Sequence, residues 1–120
     1  MNSIDVLCRR IYDLLDDKKG RDISVLSVRG ISSLADYFII VSGGSSTQIQ
    51  ALADHVEKML HQEGVDLKHR EGKAQGGWIL LDYRDIVIHI FSEDMRSYYG
   101  LERIWNDAKT VDFSRVHAAK

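Results

Sequence analysis

The stretch FIIVSGGSSTQIQ, residues 38–50, has the order of parts with which many proteins hold phosphate. An apolar strand leads into a paired-glycine turn, and a helix begins where its first amides could face an anion. The chemistry to weigh first is therefore a nucleotide site on Gly43, Gly44 and Ser45. A P-loop needs a lysine in a Gly-Lys-Ser or Gly-Lys-Thr ending. Here Ser-Ser-Thr-Gln follows the glycines, and the next lysine after them is Lys58. A dinucleotide fingerprint needs a third glycine at a set offset, and none is present.

Nucleotidyltransferases also use a strand, a Gly-Ser turn and a helix, and SGGSS fits that order. Those enzymes add a nearby Asp-x-Asp or Asp-x-Glu pair to hold two magnesium ions. No such pair follows this turn. Asp82 and Asp85 straddle a hairpin tip and point to opposite faces in a two-residue register. The turn thus reads as structural, with Ser45, Ser46 or Thr47 capping a helix. A nucleotide-binding or nucleotidyltransferase-like enzyme is the alternative.

The remaining reactive side chains are sparse. The five histidines, His55, His61, His69, His89 and His117, form no His-Glu-x-x-His arrangement, and His55 and His61 fall on different sides of a helix. With one cysteine, Cys8, there is no intrachain disulfide and no thiolate cluster. Its apolar helical neighbours make it a packing residue rather than a nucleophile. No Ser-His-Asp set can be assembled. No metal and no cofactor are expected, and no catalytic residue.

The elements that must position any site are legible in the periodicity. Residues 3–19 repeat Ile4, Leu7, Cys8, Ile11, Leu14 and Leu15 at helical spacing, with Gly20 as the stop. A short strand over 23–28 and a nearly continuous apolar strand over 37–41, buried on both faces, come next. A second helix over 47–63 carries Ile49, Leu52, Ala53, Val56, Met59 and Leu60 on one stripe, capped by Gly64. A strand over 65–69 leads through a glycine-rich turn at 72–77 to a hairpin over 77–91. Ser92, before Glu93 and Asp94, opens a helical region to about residue 108, interrupted at Gly100. Residues 109–120 read as a C-terminal tail.

The 120 residues, 44% hydrophobic and 28% charged, suit one soluble domain over 1–108 with its own core. The fold class is α/β: a mixed five-stranded sheet packed with helices. No run approaches the roughly 18 apolar residues that span a bilayer. The start, MNSIDVLCRR, lacks the basic opening of a signal peptide, so a cytoplasmic protein without membrane contact is expected. A net charge of −2 argues against affinity that rests on coating phosphates, so little or no direct nucleic-acid binding is expected. A local basic patch is still compatible with that balance, for example Lys68, His69, Arg70 and Lys73.

The hairpin GWILLDYRDIVIHIF is the most informative segment. With Arg84 and Asp85 as its turn, outward counting pairs Asp82 with Val87, Leu80 with His89 and Trp78 with Phe91. One face then holds Ile79, Leu81, Tyr83, Ile86, Ile88 and Ile90, a core face. The other mixes Trp78, Leu80, Asp82, Val87, His89 and Phe91, as a partner-binding surface does when partly exposed; a covering helix with His89 and Asp82 satisfied inside is the equal alternative. Arginine disfavours the positive φ of a primed turn, so a longer loop is also open. In MRSYYGLERIWNDA, Leu101, Ile104 and Trp105 are expected as core anchors, with Arg96 and Tyr99 sharing a side.

Together, DYFIIVSGGSSTQIQALADHV, EGKAQGGWILLDYRDIVIHIF and RSYYGLERIWNDA resemble the ribosomal silencing factor family, RsfS or Iojap, across nearly the whole chain. One departure is Arg84, where the family usually has glycine. The resemblance implies a nucleotidyltransferase-like topology without the catalytic carboxylates, and a non-enzymatic factor. Such a factor binds the large ribosomal subunit through a basic ribosomal protein, blocks joining of the small subunit and represses translation under nutrient limitation. Trp78, Leu80, Asp82 and His89 on the mixed face, with Arg96, Tyr99 and Glu102 after it, are the implied partner-binding residues. A homodimer of the free protein is compatible with the sequence.

Overall fold

The structure, a computed structural model, describes residues 3–113. Its helices are α1 (Ser3–Asp17), α2 (Ser46–Gln62), α3 (Glu93–Tyr99) and the single-turn α4 (Leu101–Ile104). Its strands are β1 (Arg21–Ser27), β2 (Tyr37–Gly43), β3 (His69–Lys73), β4 (Trp78–Asp82), β5 (Ile86–Ser92) and β6 (Lys109–Val111). They form one mixed sheet in the order β3-β4-β5-β2-β1-β6, with β2 and β5 parallel and the other neighbours antiparallel.

The sheet has a sixth strand where the sequence predicts five. Lys109–Val111 falls in the expected tail, yet it pairs with β1, Val25 opposite Val111. Three residues carry no periodicity of their own, and the strand forms because β1 offers an unpaired edge. The rest of that tail, 114–120, lies outside the described residues.

The layers follow from alternation along the strands. Ile39 and Val41 of β2, Ile79 and Leu81 of β4, and Ile86, Ile88 and Ile90 of β5 pack under α1 and α2. The helices supply Cys8, Ile11, Leu14, Leu15, Ile49, Leu52, Val56 and Leu60 to that core. The opposite face puts Leu26, Phe38, Ile40 and Phe91 against Met95, Leu101 and Trp105 from the C-terminal segment. Every residue of β2 is buried, as a strand paired on both edges and covered on both faces must be.

Two boundaries differ from expectation for local reasons. After α1 the left-handed position is taken by Lys19, φ +61°, and not by Gly20. Gly20 is needed for space instead, since a Cβ there would lie 2.6 Å from Val41 Cγ2. Strand β3 begins at His69, where the sequence predicts it to end. Val65 and Leu67 are partly buried against the core but unpaired, while the charged HREGK pairs with β4 and leaves a polar outer edge.

The β4–β5 hairpin has the counted register, with Trp78 opposite Phe91, Leu80 opposite His89 and Asp82 opposite Val87. The tip is the two-residue turn after all. Arg84 adopts φ +75°, Asp85 N–H donates to the Tyr83 carbonyl at 3.0 Å, and Arg84 N–H donates to Asp82 Oδ1 at 2.7 Å. A side chain in that region costs on the order of 1 kcal/mol. Arg84→Gly is therefore expected to stabilise the protein by about 1 kcal/mol. A urea-unfolding midpoint that fails to rise would refute the strain at this tip.

Candidate functional site

The mixed face of the hairpin is an array of aromatic rings. Trp78 and His89 lie nearly parallel, with centroids 6.4 Å apart, and His89 stacks in turn on Phe91 at 5.8 Å. Phe38, brought alongside by the parallel β2–β5 pairing, meets His89 edge-on at 5.8 Å and Trp105 edge-on at 5.2 Å. Such offset and edge contacts add to the burial of the rings themselves. Phe38 and Trp105 belong to the array without having been expected there; only the β2–β5 register brings Phe38 beside Val87 and His89.

His89 is the polar centre of this face. It is 9% exposed, and Trp78 Nε1–H donates to its Nδ1 at 3.3 Å. A nitrogen that accepts carries no proton, so the ring is the neutral Nε2–H tautomer. Burial holds its pKa down to about 4, so the ring stays uncharged at neutral pH. A neutral imidazole wedged between rings is a packing group with one specific hydrogen bond.

The C-terminal segment closes part of the face. Ser92 caps α3, its Oγ accepting from Met95 N–H at 3.2 Å, and Gly100 in the left-handed region breaks the helix as expected. This places Tyr99 over both Trp78 and Phe91, at 5.9 and 5.7 Å, while its own side stays 43% exposed. Leu101 and Trp105 anchor the segment, but Ile104 does not; it is 65% exposed. Leu101 and Trp105, four residues apart, take the inward side of this single turn and leave Ile104, its last residue, outside.

Arg96 and Glu102 turn toward each other. Arg96 donates to both Glu102 carboxylate oxygens, at 2.9 and 3.1 Å, and to Ser42 Oγ at 2.9 Å. The Arg96 side chain is only 14% exposed. The hydrogen bond from Arg96 holds the Glu102 carboxyl below the usual range. This fork clamps the α3–α4 bend to β2. Of the seven implied residues, the fold brings Trp78, Leu80, Asp82, His89 and Tyr99 to one face, with Trp78, Leu80 and Asp82 half-buried. Arg96 is held beside that face by its bonds to Ser42 and to Glu102, whose own side chain is 42% exposed.

The glycine turn is spoken for by its own side chains. Ser45 caps α2, its Oγ accepting from Gln48 N–H at 3.1 Å, while Gln48 Oε1 accepts from Gly44 N–H at 2.6 Å. Gln48 also donates to the Lys19 carbonyl at 2.9 Å, tying the turn to the end of α1. Neither glycine has positive φ. Gly43 is small so that strand and helix can touch: a Cβ there would sit 2.8 Å from Ile49 Cγ1. Two of the amides that could face a phosphate, those of Gly44 and Gln48, are thus engaged within the chain.

Other chemistry is likewise held in structure. Burial pushes the Cys8 thiol up to about 12, which leaves it a core side chain at neutral pH. Within the basic patch, Arg70 is paired with Glu57 and Asp54, and His69 lies 3.5 Å from Glu71. Among the described residues, no three histidine, cysteine or acidic side chains gather to hold a metal ion. Nor is any described helix long and apolar enough to cross a membrane.

This sequence and this fold have counterparts among known proteins. The chain is 42% identical over 110 residues to the ribosomal silencing factor RsfS of Halalkalibacterium halodurans, covering 92% of the chain and 94% of that relative. It is 32% identical over 102 residues to the mouse mitochondrial assembly of ribosomal large subunit protein 1, spanning 79% of the chain and 43% of that protein. A crystal structure of a Chromobacterium violaceum protein superposes with a TM-score of 0.83 at 35% identity, covering 88% of each chain. The family model described as ribosomal silencing factor during starvation matches residues 1–120. With that match along its whole length and that fold, the chain belongs to the ribosomal silencing factor family, RsfS.

Proposed function

We propose that the protein represses translation by steric exclusion. It docks on a basic protein of the large ribosomal subunit, at the face where the small subunit joins, and its bulk keeps the two apart when nutrients are scarce. The observation that carries this reading is the half-covered aromatic face of the β4–β5 hairpin. Trp78, Leu80, Asp82 and Tyr99 remain accessible there on a rigid support, and tryptophan and tyrosine are the residue types that dominate binding energy. The family's ribosomal name and the large-subunit name of the mouse relative support the choice of partner. The net charge of −2 suits a basic protein better than bare RNA.

No chemical step is needed in such a mechanism, and the engaged glycine turn supports a non-catalytic role. The action takes place among ribosomes in the cytoplasm. Purified protein added to separated subunits, in excess over the large subunit, should deplete the whole-ribosome peak in a sucrose gradient. It should itself travel with the large subunit. An unchanged profile with folded protein present would overturn the proposal.

A further inference from the structure

The described residues expose six large apolar side chains substantially: Val6, Ile31, Leu34, Tyr98, Tyr99 and Ile104. Three lie on the α3–α4 segment that covers the aromatic face. Two more, Ile31 at 49% and Leu34 at 79%, lie on the loop between β1 and β2. Val6 stands apart, on α1 beyond the opposite face of the sheet. Exposed apolar side chains therefore concentrate along the borders of one sheet face, and the two on the loop are not explained by anything above.

This loop is built to hold still. Val28 N–H donates to the Asp36 carbonyl at 2.8 Å and closes it, while Ile31 and Ser32 N–H both return to the Val28 carbonyl. Leu34 N–H donates to Ser32 Oγ at 3.1 Å. At its base Val28 and Ala35 are buried in the same cluster as Phe38 and Phe91. Arg29 bridges Asp5 and Asp36, at 3.1 and 3.4 Å. The loop is also fastened to the hairpin tip, since Asp36 and Tyr37 N–H both donate to the Asp85 carbonyl. A floppy loop could expose a leucine by chance; a loop with this many bonds keeps it outside at no ordering cost on binding.

We infer that Ile31 and Leu34 form a second docking element, contacting the same basic protein as the hairpin face. This rests on the reading under Proposed function and extends it to a loop that lies beside the tip. Continuity supports that occupant. Through Val28 and Ala35 the loop shares a buried cluster with Phe38 and Phe91 of the aromatic face, and its end is hydrogen-bonded to the hairpin tip at Asp85. A partner seated on that face meets Ile31 and Leu34 at its border.

The test compares the Ile31→Ser/Leu34→Ser double variant with wild type and with Trp78→Ala. Binding to purified large subunits is read by co-sedimentation titration, and self-association by analytical ultracentrifugation. The double variant should keep the wild-type thermal midpoint, because both side chains are exposed, and should bind large subunits about tenfold more weakly. Unchanged affinity of the double variant, with Trp78→Ala weakened, overturns the loop assignment and leaves the functional reading standing. Failure of wild type to bind overturns both. A wild-type dimer that the double variant dissociates, with subunit affinity unchanged, assigns the loop to self-association and also overturns the inference.

Discussion

Trp78→Ala is expected to weaken binding to the large subunit by at least about 30-fold, which is about 2 kcal/mol. The indole contributes in two ways. Its half-buried ring offers apolar area to a partner, and its stacking on His89 and tilted contact with Tyr99 hold the neighbouring rings in place. The same truncation removes part of the fold's own packing, so a loss of stability of about 2 kcal/mol should accompany it. The two effects separate by comparison with Leu81→Ala. Leu81 is fully buried on the other side of the same strand, and its truncation should cost about 2–5 kcal/mol of stability. At a temperature where both variants are folded, Leu81→Ala should still bind and should still deplete whole ribosomes in the gradient. Equal loss of binding in both variants would mean that Trp78 acts through stability alone. Trp78→Phe should recover part of the affinity, since it restores a ring but not the indole N–H.

What the sequence reveals and what it conceals divide along physical lines. The hairpin faces and their register are legible because strand side chains alternate with a period of two and the turn has no spare residue. The capping of α2 by Ser45 and of α3 by Ser92 is legible because caps are local chemistry. The position of β3 is not, since HREGK has no strand pattern and is recruited by pairing with β4. Strand β6 is hidden for the same reason. The roles of Arg96 and Glu102 are hidden because a break at Gly100, though legible, does not say which way the chain turns after it. The break at Gly100 folds them onto each other and onto Ser42 of a distant strand. Residue type alone marks arginine and glutamate as surface groups; the bend in the backbone turns them into a clamp.

Acid is expected to weaken the fold specifically through His89. In the unfolded chain this imidazole takes up a proton near pH 6.5, while burial in the folded protein delays that to about 4. The unfolded state therefore binds more protons between those values, and stability contributed by the neutral ring is complete above about pH 6.5 and declines below it. The decline is about 1.4 kcal/mol per pH unit and accumulates to about 3 kcal/mol by pH 4, where the folded ring also protonates. Protonation there places a donor where Trp78 Nε1–H now finds an acceptor, so the aromatic face loses its central hydrogen bond as it gains a buried charge. Carboxylates also lose stabilising interactions in acid, among them Asp5, bonded by Tyr37, and Glu63, bonded by Arg10. The comparison that isolates the imidazole is therefore wild type against His89→Leu, by urea unfolding at successive pH values from 7 to 4. Wild type should lose about 3 kcal/mol more than the variant over that range. Parallel curves for the two proteins would show that His89 titrates alike in the folded and unfolded chains, and the neutral, stacked ring at the centre of the aromatic face would have to be abandoned.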